Sequence, residues 1–177
     1  MISWVRSFTH FIISKLLDLE LWLIETERSD LFFSFISGRL QKYPFWCRGH
    51  LRIGVEALKI KKLDLAYASS QASIILGKNS FELNIMSQHL LARCYMAAGQ
   101  IKEALVILTK ITTSSKSCSL KTFESIKEDL AAAHMGLGED SQALSILNSI
   151  AYGKLSPEGR ATRKYLVQKE KSETASS

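Results

Sequence analysis

The chain has 177 residues, a net charge of +6, an apolar fraction of 46% and 9% aromatic residues. That composition can fill a core and excludes a disordered polymer. Three widely spaced cysteines, Cys47, Cys94 and Cys118, exclude a disulfide framework and fit free thiols in a reducing compartment. Apolar residues recur at spacings of three and four, which predicts an all-α chain.

Residues 2–26 form the first expected helix. Val5, Phe8, Ile12, Leu16, Leu19 and Leu23 share one face, while Arg6, His10, Lys15, Asp18 and Glu20 interrupt the apolar run. A helix crossing a membrane needs about 18 or more uncharged apolar residues in a row, so none is expected here. No small-residue cleavage site follows, so no secretory signal is expected either. The amphipathic pattern suits a helix that caps a core, or one lying on an anionic membrane surface.

Ser29 and Asp30 can cap a second helix, 30–42, which ends ahead of Pro44. The third is expected over 45–60 and the fourth over 63–77. Ser80 can cap the fifth, 81–98. Gly99 permits a tight turn into the sixth, 101–113. A Ser/Thr-rich linker, Thr112 to Ser119, leads to the seventh, 120–136. Gly138 turns that helix into the eighth, 140–151. Ser156-Pro157 starts the ninth, 157–171, because proline suits a first helical position. Residues 172–177 read as a disordered polar tail.

The chain also copies itself. The thirteen residues from Gly99 to Ile111 recur from Gly138 to Ile150 with six identities and no gap. Leu91, Ala92 and Met96 recur as Leu130, Ala131 and Met135. Aligning Ala66, Ala104 and Ala143 gives repeats spaced by 38 and 39 residues. Small residues at Gly54/Ala66, Ala92/Ala104 and Ala131/Ala143 would let the two helices of each pair approach closely. Such units cannot bury their apolar faces alone, so they must stack.

On these residues the chain resembles the tetratricopeptide repeat family. Leu91-Ala92, Tyr95 and Ala104 match that family's pattern in the central unit, with Leu108 in the place of its aromatic. Leu130-Ala131, His134, Ala143 and Leu147 fill the same places in the last unit, and Ile53-Gly54, Ala57, Ala66 and Ser70 in the first. The consensus tryptophan is replaced by His50, Gln88 and Lys127. The resemblance implies a right-handed α–α superhelix, a helical-pair solenoid. A degenerate helix pair would span 1–43, three repeats 44–151, and a capping helix 152–171.

It also implies a concave groove lined by the first helix of each pair. By register the groove would show Arg48, Leu51, Val55 and Leu58, then Met86, His89, Arg93 and Met96, then Ser125, Glu128, Ala132 and Met135. Methionines suit an adaptable peptide surface. Members that grip the acidic C-terminus of heat-shock chaperones use a lysine, asparagine and arginine clamp. Leu51, Val55, Leu90, Ser125 and Asp129 stand at those places, so that activity is not expected. Leu76-Gly77-Lys78-Asn79 between units is similar to type III secretion chaperones.

Catalytic patterns are missing. The nine glycines form no phosphate loop, and His10, His50, His89 and His134 are far apart. Cys47 and His50 lie one helical turn apart but make only half a metal site. Residues 45–80 hold six basic and two acidic side chains, so the positive charge gathers around Arg48, Arg52, Lys59, Lys61 and Lys62. Arg160, Arg163 and Lys164 could meet phosphates, but only Tyr165 accompanies them, which disfavours nucleic acid. The expectation is a non-enzymatic cytoplasmic adaptor without cofactor or metal, binding a partner peptide or helix. The alternatives are a peripheral membrane protein held by residues 1–26 and the basic second pair, or a secretion-type chaperone.

Overall fold

A computed structural model describes residues 46–114 and 120–175. The expected helices within 1–43, Cys118, and the last two residues of the tail lie outside the described residues. The described chain is helical, and no strand occurs in it. The helices are α1 (Cys47–Lys59), α2 (Leu63–Gly77), α3 (Phe81–Ala97), α4 (Ile101–Ser114), α5 (Leu120–Gly136), α6 (Asp140–Asn148) and α7 (Pro157–Ala175). A short 3-10 turn, Tyr152–Lys154, precedes α7. Each helix packs on the next in sequence; α1 also packs on α3, and α3 on α5.

The paired small residues are buried as the repeat requires. Ala66, Ala92, Ala104 and Ala143 have no accessible surface, and Ala131 is 1% exposed. Gly54 is buried as well. A Cβ on Gly54 would stand 2.5 Å from Leu90 Cδ2 and 3.4 Å from the Ala66 carbonyl oxygen. The missing side chain is therefore what lets α1 lie close to both α2 and α3.

Three apolar clusters follow one another along the chain. Leu51, Ala57, Ala66, Leu90 and Cys94 form the first. Ile85, Ala92, Ala104, Leu108, Ile126 and Ala133 belong to the second, and Ala131, Ala143, Leu147, Leu155 and Leu166 to the third. Among the described residues Leu108, Ile126 and Leu147 are the largest fully enclosed side chains, each at 2% exposure or less. Truncating one of them to alanine removes about 2–5 kcal/mol.

The turns inside the pairs are built alike. The amides of Lys62, Gln100 and Glu139 donate to the carbonyls of Ala57, Tyr95 and His134, at 2.8, 2.9 and 2.9 Å. The amides of Lys61, Gly99 and Gly138 donate to Leu58, Met96 and Met135. Together these bonds close the helix end with a left-handed residue before the last donor. That residue has φ of 60° at Lys61 and 77° at Gly99 and Gly138. The spacings of 38 and 39 residues read from the alanines hold for these bonds too.

Some boundaries differ from expectation. The sixth helix of the sequence reading continues to Ser114, into the Ser/Thr-rich linker, with Thr112 and Thr113 hydroxyls turned back onto carbonyls of their own helix. The eighth stops at Asn148 rather than 151. Ile150 and Leu155 are each 3% exposed, and the chain leaves the helix to bury both. The ninth runs through the expected polar tail as far as Ala175, where Ser172 and Thr174 hydroxyls again donate to carbonyls one turn back.

Two helix starts follow the capping chemistry of their serines. The Ser80 hydroxyl accepts from the Leu83 amide. The Ser156 hydroxyl accepts from the Gly159 amide at 2.9 Å.

Candidate functional site

A pocket of about 330 Å³ opens between α1 and α3. Leu51 and Val55 of α1 and Met86 and Leu90 of α3 give it an apolar lining. Arg52, Glu56 and Lys59 of α1, His89 and Arg93 of α3 and Thr122 of α5 supply its polar lining, with Glu56 and His89 buried and Lys59 and Arg93 exposed.

Helical geometry explains why these residues meet. Positions 52, 55, 56 and 59 follow the i, i+3, i+4, i+7 spacing of one helix face, and 86, 89, 90 and 93 repeat it on α3. Two such faces meet across the helix–helix seam. Leu90 and Leu51 are buried there, 2% and 7% exposed.

The lining holds three cationic side chains, Arg52, Lys59 and Arg93, and one carboxylate, Glu56, and the Asp129 carboxylate stands beside it. Glu56 is buried and accepts from Lys59 Nζ at 2.7 Å, one turn away. On the other wall His89 Nε2 lies 2.7 Å from Asp129 Oδ2, across the α3–α5 junction. Arg93 Nε lies 3.6 Å from the same oxygen. A single carboxylate of α5 thus holds two lining side chains of α3.

The sequence-predicted groove residues fall into two groups. Leu51, Val55, Met86, His89 and Arg93 come together in this pocket. The others lie elsewhere. Arg48 is exposed on the first turn of α1. Leu58 packs on the first core cluster, Met96 on the second and Met135 on the third. Glu128 receives the Ser156 amide at 2.8 Å and the Ser156 hydroxyl, so its carboxylate ties α5 to the start of α7. Ser125 and Ala132 are exposed on α5.

The transferred groove register left out Arg52, Glu56, Lys59, Leu90 and Thr122, although Arg52 and Lys59 stand in the basic cluster read from the sequence and Leu90 at one of the clamp places. The register transferred from the family selects 48, 51, 55 and 58, a face rotated from 52, 55, 56 and 59. The matching i, i+3, i+4, i+7 spacing on both helices was the available signal.

The cysteines are placed for packing. Cys47 Sγ donates to the Ser73 carbonyl at 3.3 Å and lies 3.0 Å from where a Gly77 Cβ would stand. Burial pushes the thiols of Cys47 and Cys94 above the ordinary value, with Arg48 and Arg93 pulling weakly the other way. Among the described residues no group of three or more His, Cys, Asp or Glu side chains could hold a metal. No described helix is long and apolar enough to cross a membrane.

Comparison with models of known families, with curated proteins and with solved structures finds no match to this chain. What it does is therefore argued from its own geometry.

Proposed function

We propose that the protein is a non-enzymatic docking module whose α1/α3 pocket holds a segment of a partner protein. The observation that carries this reading is the pocket itself. Apolar side chains from two successive hairpins line it together with a few polar and charged ones, the composition found where side chains of a partner are received. The same reading takes the consecutive hairpins as turns of a right-handed superhelix of tetratricopeptide type, working in the cytoplasm. Three matched intra-pair turns and the α1–α3 and α3–α5 packing support that architecture.

The test is site-specific photo-crosslinking in cells. A benzoylphenylalanine placed at Met86, in the pocket lining, should yield a discrete protein adduct. The same group at Val106, 68% exposed on α4, should not. Adducts of equal pattern at both sites, or none at Met86, would remove the docking reading.

A further inference from the structure

We infer that the outward face of α2 is the docking surface for residues 5–23 of this same chain, which lie along it as an amphipathic helix. That face shares no residue with the lining of the α1/α3 pocket.

Three observations carry it. The first is that α2 is turned inside out relative to the second helices of the other two pairs. The alanine alignment sets Leu65 against Glu103 of α4 and Gln142 of α6, and Ala72 against Lys110 and Ser149. Ile75 stands where α4 has Thr113, and Ala68 where the others have Val106 and Ser145. These places are exposed in all three helices, except that Ala72 is half-buried. Ile75 is 66% exposed and Leu65 39%. The inner face is reversed as well. Ser70 and Ser73 have no accessible surface, where the second unit buries Leu108 and Ile111 and the third Leu147 and Ile150. Their hydroxyls donate to the carbonyls of Tyr67 and Ser70 in their own helix, at 2.7 and 2.9 Å. The inner side is therefore complete, and a row of outward apolar side chains marks a face that another element covers.

The second is the shape and chemistry of that face. Residues 65, 68, 72 and 75 follow the three-four-three spacing of a helix-pairing seam. Two alanines between a leucine and an isoleucine leave a saddle that a second helix can enter closely. A helix lying on an anionic membrane carries basic side chains beside its apolar stripe, and α2 contains no Lys or Arg from Leu63 to Gly77. The stripe is about 15 Å long and one helix wide, far short of the roughly 800 Å² per partner that a separate copy or a separate protein needs. An occupant tethered to the same chain, held at about millimolar effective concentration, docks on so small a face.

The third is which segment fits. Val5, Phe8, Ile12, Leu16, Leu19 and Leu23 carry the same three-and-four spacing. They lie outside the described residues, which start at Trp46. Residues 24–45 bridge the interval and reach up to about 70 Å when extended, several times the about 20 Å length of α1, so either end of α2 is within range.

The experiment places benzoylphenylalanine at Ala68 in the purified full chain and irradiates it over a hundredfold range of dilution. Mass spectrometry of the digested product locates the adduct. The expected product migrates as a monomer, joins position 68 to a residue within 5–23, and forms in equal yield at every dilution. The same group at Val106, the equivalent place on α4, should give no such adduct. Leu16→Asp combined with Leu19→Asp should lower the yield about tenfold or more, while amide exchange shows α2 to α6 still protected. A dimer-sized adduct that grows with concentration assigns the face to a second copy and overturns the inference. No adduct to residues 5–23 leaves the face to another protein or a lipid surface and overturns it too. Equal adducts from Ala68 and Val106, or a yield unmoved by the paired leucine substitutions, do the same.

Discussion

Lys61 and Gly99 share one left-handed backbone conformation, φ 60° and 77°, at equivalent places in successive helical hairpins. Glycine adopts it without strain, whereas an L side chain in this region costs about 1–2 kcal/mol. Lys61→Gly relieves that cost, partly offset by the greater freedom of glycine in the unfolded chain. It should stabilise the protein by about 0.5–1 kcal/mol. Gly99→Ala should destabilise it by about 1–2 kcal/mol. Urea midpoints measure both; a loss of stability in Lys61→Gly would show that the lysine side chain contributes more than its backbone costs.

The His89–Asp129 bond joins the second hairpin to the third. His89 is 9% exposed, so removing its partner leaves a nearly buried polar group unsatisfied. Asp129→Ala should cost about 1–3 kcal/mol. In a double-mutant cycle with His89→Gln the two residues should couple by about 0.5–3 kcal/mol, read from equilibrium unfolding. Strict additivity would mean that the His89–Asp129 bond adds nothing to the joining of these hairpins.

Glu128 fastens the last helix. Its carboxylate receives the amide and hydroxyl of Ser156, the residue that caps α7. Glu128→Ala should weaken α7 docking by about 1–3 kcal/mol and speed amide exchange in α7, leaving α1 and α2 as protected as before. Uniform acceleration through the whole chain would instead mark one cooperative unit.

Cys94 makes stability depend on pH at the alkaline end. Burial holds its thiol above the ordinary 9.0. Below that value the thiol is neutral in both states, so pH acts little through it. Above it, the unfolded chain ionises first and binds fewer protons, so stability falls as pH climbs through the folded value. Cys94→Ala should show a flatter decline above about pH 9 in denaturant midpoints, beneath the constant loss from truncation. A slope identical to wild type would mean that Cys94 ionises as readily folded as unfolded.

The hairpins could be read from residue spacing because their determinants are local. Gly99 and Gly138 announce left-handed turns, Ser80 and Ser156 announce helix starts, and alanines at fixed spacing announce close packing. Lys61 escaped notice because a lysine carries no turn signal; only the register relation to Gly99 reveals it. The end of α6 at Asn148 was hidden for a different reason. Burial of Ile150 and Leu155 against the rest of the fold decides it, and periodicity along one helix does not report tertiary burial.

The pocket was half visible. Leu51, Val55, Met86, His89 and Arg93 belong to it, because the first helices of neighbouring pairs do face each other. Arg52, Glu56 and Lys59 fall outside the register transferred from the family, and Arg52 and Lys59 were read only as part of the basic cluster. Glu128 shows the converse: its place on the expected face is right, but its carboxylate is claimed by Ser156, twenty-eight residues on.

Gly54 is where the approach of α1 to α3 is set, and it touches the pocket without lining it. Leu90 Cδ2 fills the space a side chain at position 54 would take, and Leu90 itself lines the pocket. Adding one methyl group there would displace Leu90 and shallow the cavity from behind, with every other lining residue untouched. The depth available to a visitor is thus written at a position that has no side chain to offer it.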